Sequence, residues 1–479
     1  MTLYSILVRL LRFINHLYFV DVRAAGRERV PDDGPLLLAA NHPGSILDTV
    51  LMTTQIPRPI RFLARSGLFR FPPLAAFFRQ MGAIPIYRSH ETEQASARNR
   101  DVFEKVYELF ESGGCVGIFP EGQNSPSDQV APLRTGAARM ALGAEARNDY
   151  ALGLTIVPVG INFESRELLT AAVLLQFGSP IRVADYADLH RSDPQVAIAK
   201  LTNDLQAALR RQAIHIEDRR TGQLADDLYD VLGEEVATHL TEQDPRSTPP
   251  TPSRLRRWLR ALMRWYQRTT PASSYAFEMR MHSRKYIYDV LHAALQRTPT
   301  AVERLRTRVE QYKDYLNQTN LRDALAHSFE EPVRERLLRL RMTLYAVLMA
   351  PIVAFGLVHN AVPYLFTKLT AQRFDDEAVR GFAYFVLGLF SFSLTYTGIG
   401  LGLWYYTDLS WVQRLAYVAA LPPTGFSVLS YRRNMVLYRD RILVRTFFWR
   451  DDDLLALLRE QRAAIARRFR ELTNQVETS

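Results

Sequence analysis

The sequence predicts an α/β fold, a β-sheet with helices on its faces, followed by a charged helical region and a membrane-embedded helical region. Three observations predict it. Short apolar runs alternate with helix-period patterns from about 21 to 185. Charges dominate 190–340, and 342–431 is almost free of acids and bases over long stretches. The chain has 479 residues, too many for one ordinary core, so two or three structural units are expected.

At the start, Leu3, Ile6, Leu7, Leu10, Phe13 or Ile14, and Leu17 recur at helical spacing, with Ser5, Arg9, Arg12 and Asn15 opposite. Residues 1–20 therefore read as an amphipathic helix in a membrane interface, or as a helix packed on the domain's own core. Arg9 and Arg12 interrupt the apolar run and no cleavage site follows, unlike a signal peptide. Strands are expected at 36–40, 60–63, 83–86, 116–119, 156–159 and 174–177, and helices at 45–54, 73–81, 94–112 and 132–146. Catalytic groups then belong at strand-to-helix junctions. Helix periodicity over 193–240 completes a domain spanning 21–240.

A Pro-rich linker occupies 241–253, and a helical region runs from 254 to 340. Its first helix carries Leu255, Trp258, Leu259, Leu262 and Trp265 as a stripe flanked by six arginines between 254 and 268, which suits an anionic lipid surface or an Arg-rich cover over the core. Apolar stretches near 342–366, 381–406 and 411–431 are each about the roughly 20 residues a span needs, so 341–432 reads as membrane-embedded. Arg334, Arg336, Arg339 and Arg341 precede the first stretch; Lys368, Arg373 and Arg380 follow it; Arg432, Arg433, Arg439, Arg441 and Arg445 follow the third. The positive-inside rule then pairs the last two stretches as a hairpin. It returns the first through a re-entrant break at His359, Asn360 and Pro363. The α/β domain and the basic tail, 433–479, lie on the cytoplasmic face in this reading.

The net charge of +10 suits nucleic acid or an anionic membrane. The apolar stretches favour the membrane, and no Gly-rich phosphate loop, metal-ligand cluster or aromatic-interleaved basic strand supports nucleic acid. A single cysteine, Cys115, gives no intramolecular disulfide, and its flanks read as a buried strand.

Five side chains are placed for chemistry. His42 follows a strand and precedes a helix beginning near Ser45; a neutral imidazole there accepts a proton from an alcohol if a partner fixes its tautomer. Asp48 is the nearest carboxylate, although Ser45 and Asp48 also fit a capping box that merely starts the helix. Arg88 ends an apolar strand, where a guanidinium binds phosphate or simply faces water. Glu121, in a Pro-Glu-Gly turn, is placed to hold a polyol hydroxyl or to pair with Arg88. Arg134, ahead of a helix start, is a second phosphate partner or an exposed flanking base.

Four ordered blocks resemble the glycerophospholipid acyltransferase family, which includes glycerol-3-phosphate and lysophosphatidate acyltransferases. Asn41-His42 with Asp48 resembles the first block, and Gly82 to Arg88 the second. Phe119-Pro120-Glu121-Gly122 with Ser125 resembles the third, and Val157-Pro158-Val159 the fourth. The resemblance covers 20–185 and implies a mixed β-sheet flanked by helices. It implies His42 as general base, Asp48 as the group orienting and stabilising the imidazolium, and Arg88 on the acceptor phosphate. It also implies Glu121 and Gly122 lining the acceptor site and Pro158 shaping the acyl side. The donor would be an acyl thioester, from acyl-CoA or acyl carrier protein, with no metal or other cofactor. The acceptor would be glycerol 3-phosphate or its 1-acyl form.

Two departures stand out. Five residues separate His42 from Asp48 where the family pattern has four, and Gln123-Asn124 stands where many relatives carry Thr-Arg. A transacylase or lipase using the same dyad, and a non-catalytic membrane scaffold, are the competing readings.

Overall fold

Parallel strands buried on both faces read as continuous apolar runs, and Leu36-Leu37-Leu38-Ala39-Ala40 is one: every residue of β2 (Leu36–Ala40) is buried. The computed structural model describes residues 3–19, 21–70, 72–87, 95–124, 129–163, 172–243, 274–318, 333–374, 377–448 and 452–477. Contacts divide the chain into two compact units, 1–217 with 272–281, and 218–271 with 282–479. The stripe at 254–268 and the Pro-rich linker beyond 243 lie outside the described residues.

The first unit is an eight-stranded mixed sheet. Its strands are β1 (Asp21–Ala25), β2, β3 (Ile60–Arg65), β4 (Ile84–Ile86), β5 (Cys115–Ile118), β6 (Thr155–Phe163), β7 (Ala172–Phe177) and β8 (Ile181–Arg182). The spatial order is β1-β7-β6-β2-β5-β3-β4, with β8 also on β6. β6 runs antiparallel to β7 and β8, and the other pairs are parallel. Helices α2 (Ile46–Gln55), α3 (Pro72–Gln80), α4 (Ala95–Glu111), α5 (Gly136–Arg147), α6 (Ala187–Ser192) and α7 (Pro194–Gln212) connect and flank the strands.

Period-2 alternation assigns each strand side chain to one of two cores. Leu37, Ala39, Val116, Ile118 and Ile156 face Val106, Phe110, Met140, Leu142, Leu201 and Leu205 of α4, α5 and α7. Leu36, Leu38, Ala40, Val157 and Val159 face Leu51 and Met52 of α2. Cys115 belongs to this second core, where burial pushes its thiol up to about 12.

The N-terminal helix α1 (Leu3–Tyr18) uses one face for the protein. Val8, Leu11 and Asn15 are buried; Arg12 Nε donates to Thr54 O at 3.0 Å, and Asn15 Nδ2 to Thr54 Oγ1 at 2.8 Å. Ile6 and Leu10 remain exposed beside Arg9.

In the second unit, α8 (Arg219–Gln243) and the last helix pack on α10 (Pro299–Gln318), with Leu224, Leu228, Val302, Leu305, Ile465 and Phe469 buried, and α9 (Ser274–Arg297) adds buried Ile287 and Leu291 from its part beyond residue 281. Three long helices precede that last one: α11 (Val333–Ala371), α12 (Glu377–Tyr406) and α13 (Trp411–Phe448), followed by α14 (Asp452–Glu477). Among the described residues two helical segments are long and apolar enough to cross a membrane, Thr343–Ala371 and Val386–Tyr406, and both are largely exposed.

That corrects two expectations. The third stretch falls short because Gln413, Arg414, Thr424 and Ser427 dilute it. The first has no re-entrant break: α11 runs unbroken through Pro351 and Pro363. Its polar residues are met by neighbouring helices instead. Asn360 Oδ1 accepts from Tyr396 Oη at 2.6 Å, and His359 Nε2 lies 2.8 Å from Tyr417 Oη. Partners of this kind let a polar residue stay in a continuous apolar helix.

Candidate active site

The order of strands reverses around β2. The chain leaves β2 for β3 and β4 on one side, returns to insert β5, and lays β6 on the other side. The carboxyl ends of β2, β5 and β6 form the kind of switch point where open α/β sheets bind ligands. His42 and Glu121 follow β2 and β5 directly.

The first residue past β2 shapes what comes next. Asn41 uses its side chain to continue the ladder onto β6, accepting from Ile161 N at 2.7 Å and donating to Ile161 O at 3.1 Å. The main chain is thereby free to turn away, and His42 N donates instead to Glu121 Oε1 at 3.0 Å. His42 Nδ1 sits 2.8 Å from Asp48 Oδ2, and the same oxygen accepts from Gly44 N at 2.8 Å. Asp48 is 0% exposed and the His42 side chain 20%. With Asp48 Oδ2 accepting a hydrogen bond from Nδ1–H, the imidazole keeps its proton on Nδ1, which leaves the Nε2 lone pair as a base. The imidazole stacks on Phe119 at 3.9 Å between centroids, and Phe119 stacks on Phe62 at 5.9 Å. An apolar wall therefore backs the base.

The capping-box alternative does not hold: Ser45 makes no side-chain cap bond, and Asp48 turns back to His42 and Gly44. The extra residue between His42 and Asp48 is taken up in the Pro43–Ser45 turn. There Gly44 is required by close approach, since a Cβ would stand 2.7 Å from both Asp48 Oδ1 and Phe163 Cζ. Ser45 pays in backbone strain, with φ 57° and ψ −126°. Such a conformation costs a non-glycine residue about 1–3 kcal/mol. Ser45→Gly should therefore raise the thermal midpoint by about 2–4 °C, after the flexibility glycine adds to the unfolded chain is subtracted. A thermal melt showing no gain would place the strain elsewhere.

Glu121 is 3% exposed, with its second oxygen accepting from Ala131 N at 3.0 Å. Burial raises its pKa, opposed by the main-chain donors of Ala131 and His42. The carboxylate thus ties two loops together among main-chain donors. Gly122 has φ 69°, and a Cβ there would stand 2.7 Å from Arg134 Nε. Arg134 N in turn donates to Pro120 O at 2.8 Å, so this exposed base lies across the Glu121-Gly122 turn. Arg88 and Ser125 lie outside the described residues.

Pro158 is not gathered here. It is buried in mid-strand, level with Ala39, and so about 10 Å along the strand from the level of His42. Its carbonyl accepts from Gly178 N at 2.8 Å, and its ring packs against Gly178. A surface cleft bordered by Arg182, Tyr186 and Lys200 lies beside the opposite, amino end of β6. Its cations are already paired, Arg182 with Asp185 at 3.1 Å and Lys200 with Asp204 at 3.4 Å.

Sequence reasoning did not assign roles to Asn41, Phe62 or Phe119. An asparagine ending an all-apolar strand was the available signal for the first. The two rings carry none, because phenylalanine is ordinary in a strand core. Among the described residues no group of His, Cys, Asp and Glu is arranged to hold a metal ion.

Residues 21–162 match the Acyltransferase family. The chain is 32% identical to glycerol-3-phosphate O-acyltransferase 2 of Saccharomyces cerevisiae, over 23% of this chain and 15% of that protein. It is 22% identical to glycerol-3-phosphate O-acyltransferase 1 of the same yeast, over 46% and 40%. It is also 22% identical to 1-acyl-sn-glycerol-3-phosphate acyltransferase of Borreliella burgdorferi, over 41% and 71%. The chain spans less than half the length of the two yeast relatives.

Proposed function

We propose that this chain, whose residues 21–162 belong to the acyltransferase family, moves an acyl group from a thioester to a hydroxyl of glycerol 3-phosphate or its 1-acyl form. The observation that carries the reading is the 2.8 Å contact between His42 Nδ1 and a fully buried Asp48 at the switch point of the sheet. Nε2 removes the acceptor's proton as its oxygen attacks the thioester carbonyl. The C–S bond then breaks as the thiolate leaves, and the proton returns from the imidazolium to sulfur. Asp48 stabilises the imidazolium in between, so the triad logic operates with the substrate hydroxyl in the nucleophile's place.

Arg134, across the Gly122 turn, binds the acceptor phosphate together with Arg88, which the resemblance assigns to the same group. This compensates for Gln123-Asn124 where relatives carry an arginine. The acyl donor is acyl-CoA or acyl carrier protein. The two apolar helices embed the protein in a membrane, with the catalytic unit on the cytoplasmic face.

Detergent-purified protein given a labelled acyl thioester and either acceptor should form labelled lysophosphatidate or phosphatidate. Transfer from a phospholipid without thioester would favour the transacylase reading instead. Arg134→Ala should raise the acceptor KM by about 10–100-fold with the thioester KM unchanged, as loss of one charge-assisted phosphate contact implies. An unchanged acceptor KM removes Arg134 from the phosphate site.

A further inference from the structure

We infer that His215 is a positioning residue for the acceptor half of this site, acting through the loop 129–135; the inference rests on the acyltransferase reading. The helix expected from 132 begins only at Gly136, and the residues before it form a loop with its main-chain donors taken up. Val130 N donates to His215 Nδ1 at 3.0 Å, Ala131 N to Glu121 Oε2 at 3.0 Å, and Leu133 N to Gln206 Oε1 at 2.9 Å. Arg134 N reaches Pro120 O at 2.8 Å, and residue 132 is a proline with no donor. The side chain of Gln129 adds two more contacts, to Ile216 O at 2.7 Å and Glu217 O at 3.1 Å.

Two of these acceptors, Gln206 and His215, are side chains from α7 and the segment just after it, reaching 70–90 positions back along the chain. His215 accepts through Nδ1 only in the tautomer with its proton on Nε2. Glu217 Oε1 lies 3.2 Å from Nε2 and is itself held by Arg210 at 2.9 Å, which selects that tautomer. The result is a continuous strap. His215 holds Val130, Ala131 holds Glu121, and Glu121 holds the main chain of His42. The same loop carries Arg134 to Gly122.

Pro132, Arg134 and Thr135 are exposed, so the loop adds little to the apolar cores. Freed at Val130, it loses its position while the sheet and its helices stay folded. The consequence falls on acceptor binding, because Arg134 rides on the loop, and much less on the thioester.

The test compares His215→Ala with His215→Asn, whose Oδ1 can stand near the place of Nδ1. Hydrogen exchange reads the strap directly, and steady-state kinetics with glycerol 3-phosphate and a long-chain acyl-CoA reads its consequence. His215→Ala should speed exchange of the amides at 130–134 at least about tenfold and raise the acceptor KM about tenfold. The thioester KM and kcat should stay within about twofold, and His215→Asn should restore both exchange and KM. Unchanged exchange, or faster exchange with an unchanged acceptor KM, overturns the inference. So does a loss of kcat alone, in proportion to unfolded protein. A wild-type protein that transfers no acyl group overturns the parent reading and the positioning role with it; the exchange arm still reports the strap itself.

Discussion

Replacing His42 with alanine should lower kcat for acyl transfer by about 10²–10⁴-fold, the usual contribution of a positioned general base. Stability should fall as well, because buried Asp48 loses one of its donors and Phe119 its stacking partner. Asp48→Asn separates the two effects. Asparagine keeps the size and can still accept from Gly44 N through its oxygen. That same oxygen keeps the bond from Nδ1–H, but without its charge it no longer stabilises the imidazolium that forms as the proton is taken. Turnover should fall by about 10²–10⁴-fold here too, although the fold is nearly undisturbed. Thioester consumption at saturating acceptor, alongside circular dichroism, measures both variants. Near-wild-type turnover in His42→Ala would sink the mechanism.

The apolar strands were readable because their order comes from local composition. β2 is five consecutive apolar residues, and β5 and β6 are nearly so. β1 was not readable: Asp21-Val22-Arg23-Ala24-Ala25 has no apolar run and owes its strand form to parallel pairing with β7, about 150 positions away. At the site, the same two residues, Ser45 and Asp48, satisfied two local rules, and only the turn through Gly44 decided between them. Glu121 was recognisable as a turn residue, but its partners His42 N and Ala131 N come from separate loops, which no spacing rule encodes. Pro158 drew attention as part of a block. Its burial opposite Ala39 follows from a feature invisible in sequence: the β7–β8 connection passes its carbonyl, where a strand donor at 158 is not needed. The His215 strap joins positions 85 residues apart and leaves no pattern at all.

Cysteines at Asp408 and Ala463 should be labelled by a membrane-impermeant maleimide from one face of a sealed vesicle, and a cysteine at Gln372 from the other, in a Cys115→Ala background. Helix α12 runs antiparallel to α11, since Ser391 meets Thr367 and Tyr396 meets Asn360. Its far end carries exposed Trp404, Tyr405 and Tyr406, the aromatic pattern expected at a membrane interface. α13 then doubles back. Arg414 lies over Trp404 and Val418 beside Gly400, but past Pro422 and Pro423 the contacts descend α11, with Thr424 at Gly356 and Tyr431 at Ala346. Pro422 and Pro423, inside this helix, mark where the contacts change direction, and Asn360 Nδ2 donates to Leu421 O beside them. Two crossings, not three, are therefore the expected outcome. The packing of α14 requires the same parity, because Arg462 Nε donates to Val231 O of α8 at 3.1 Å, which fixes the chain before and after the membrane segment on one face. The charge agrees. Arg334, Arg336, Arg339 and Arg341 share that face with Arg432, Arg433, Arg439, Arg441 and Arg445, against Lys368, Arg373 and Arg380 opposite. Labelling of 408 and 463 from opposite faces would mean a full third crossing. Labelling of all three from one face would mean that α11 and α12 lie on the membrane without spanning it.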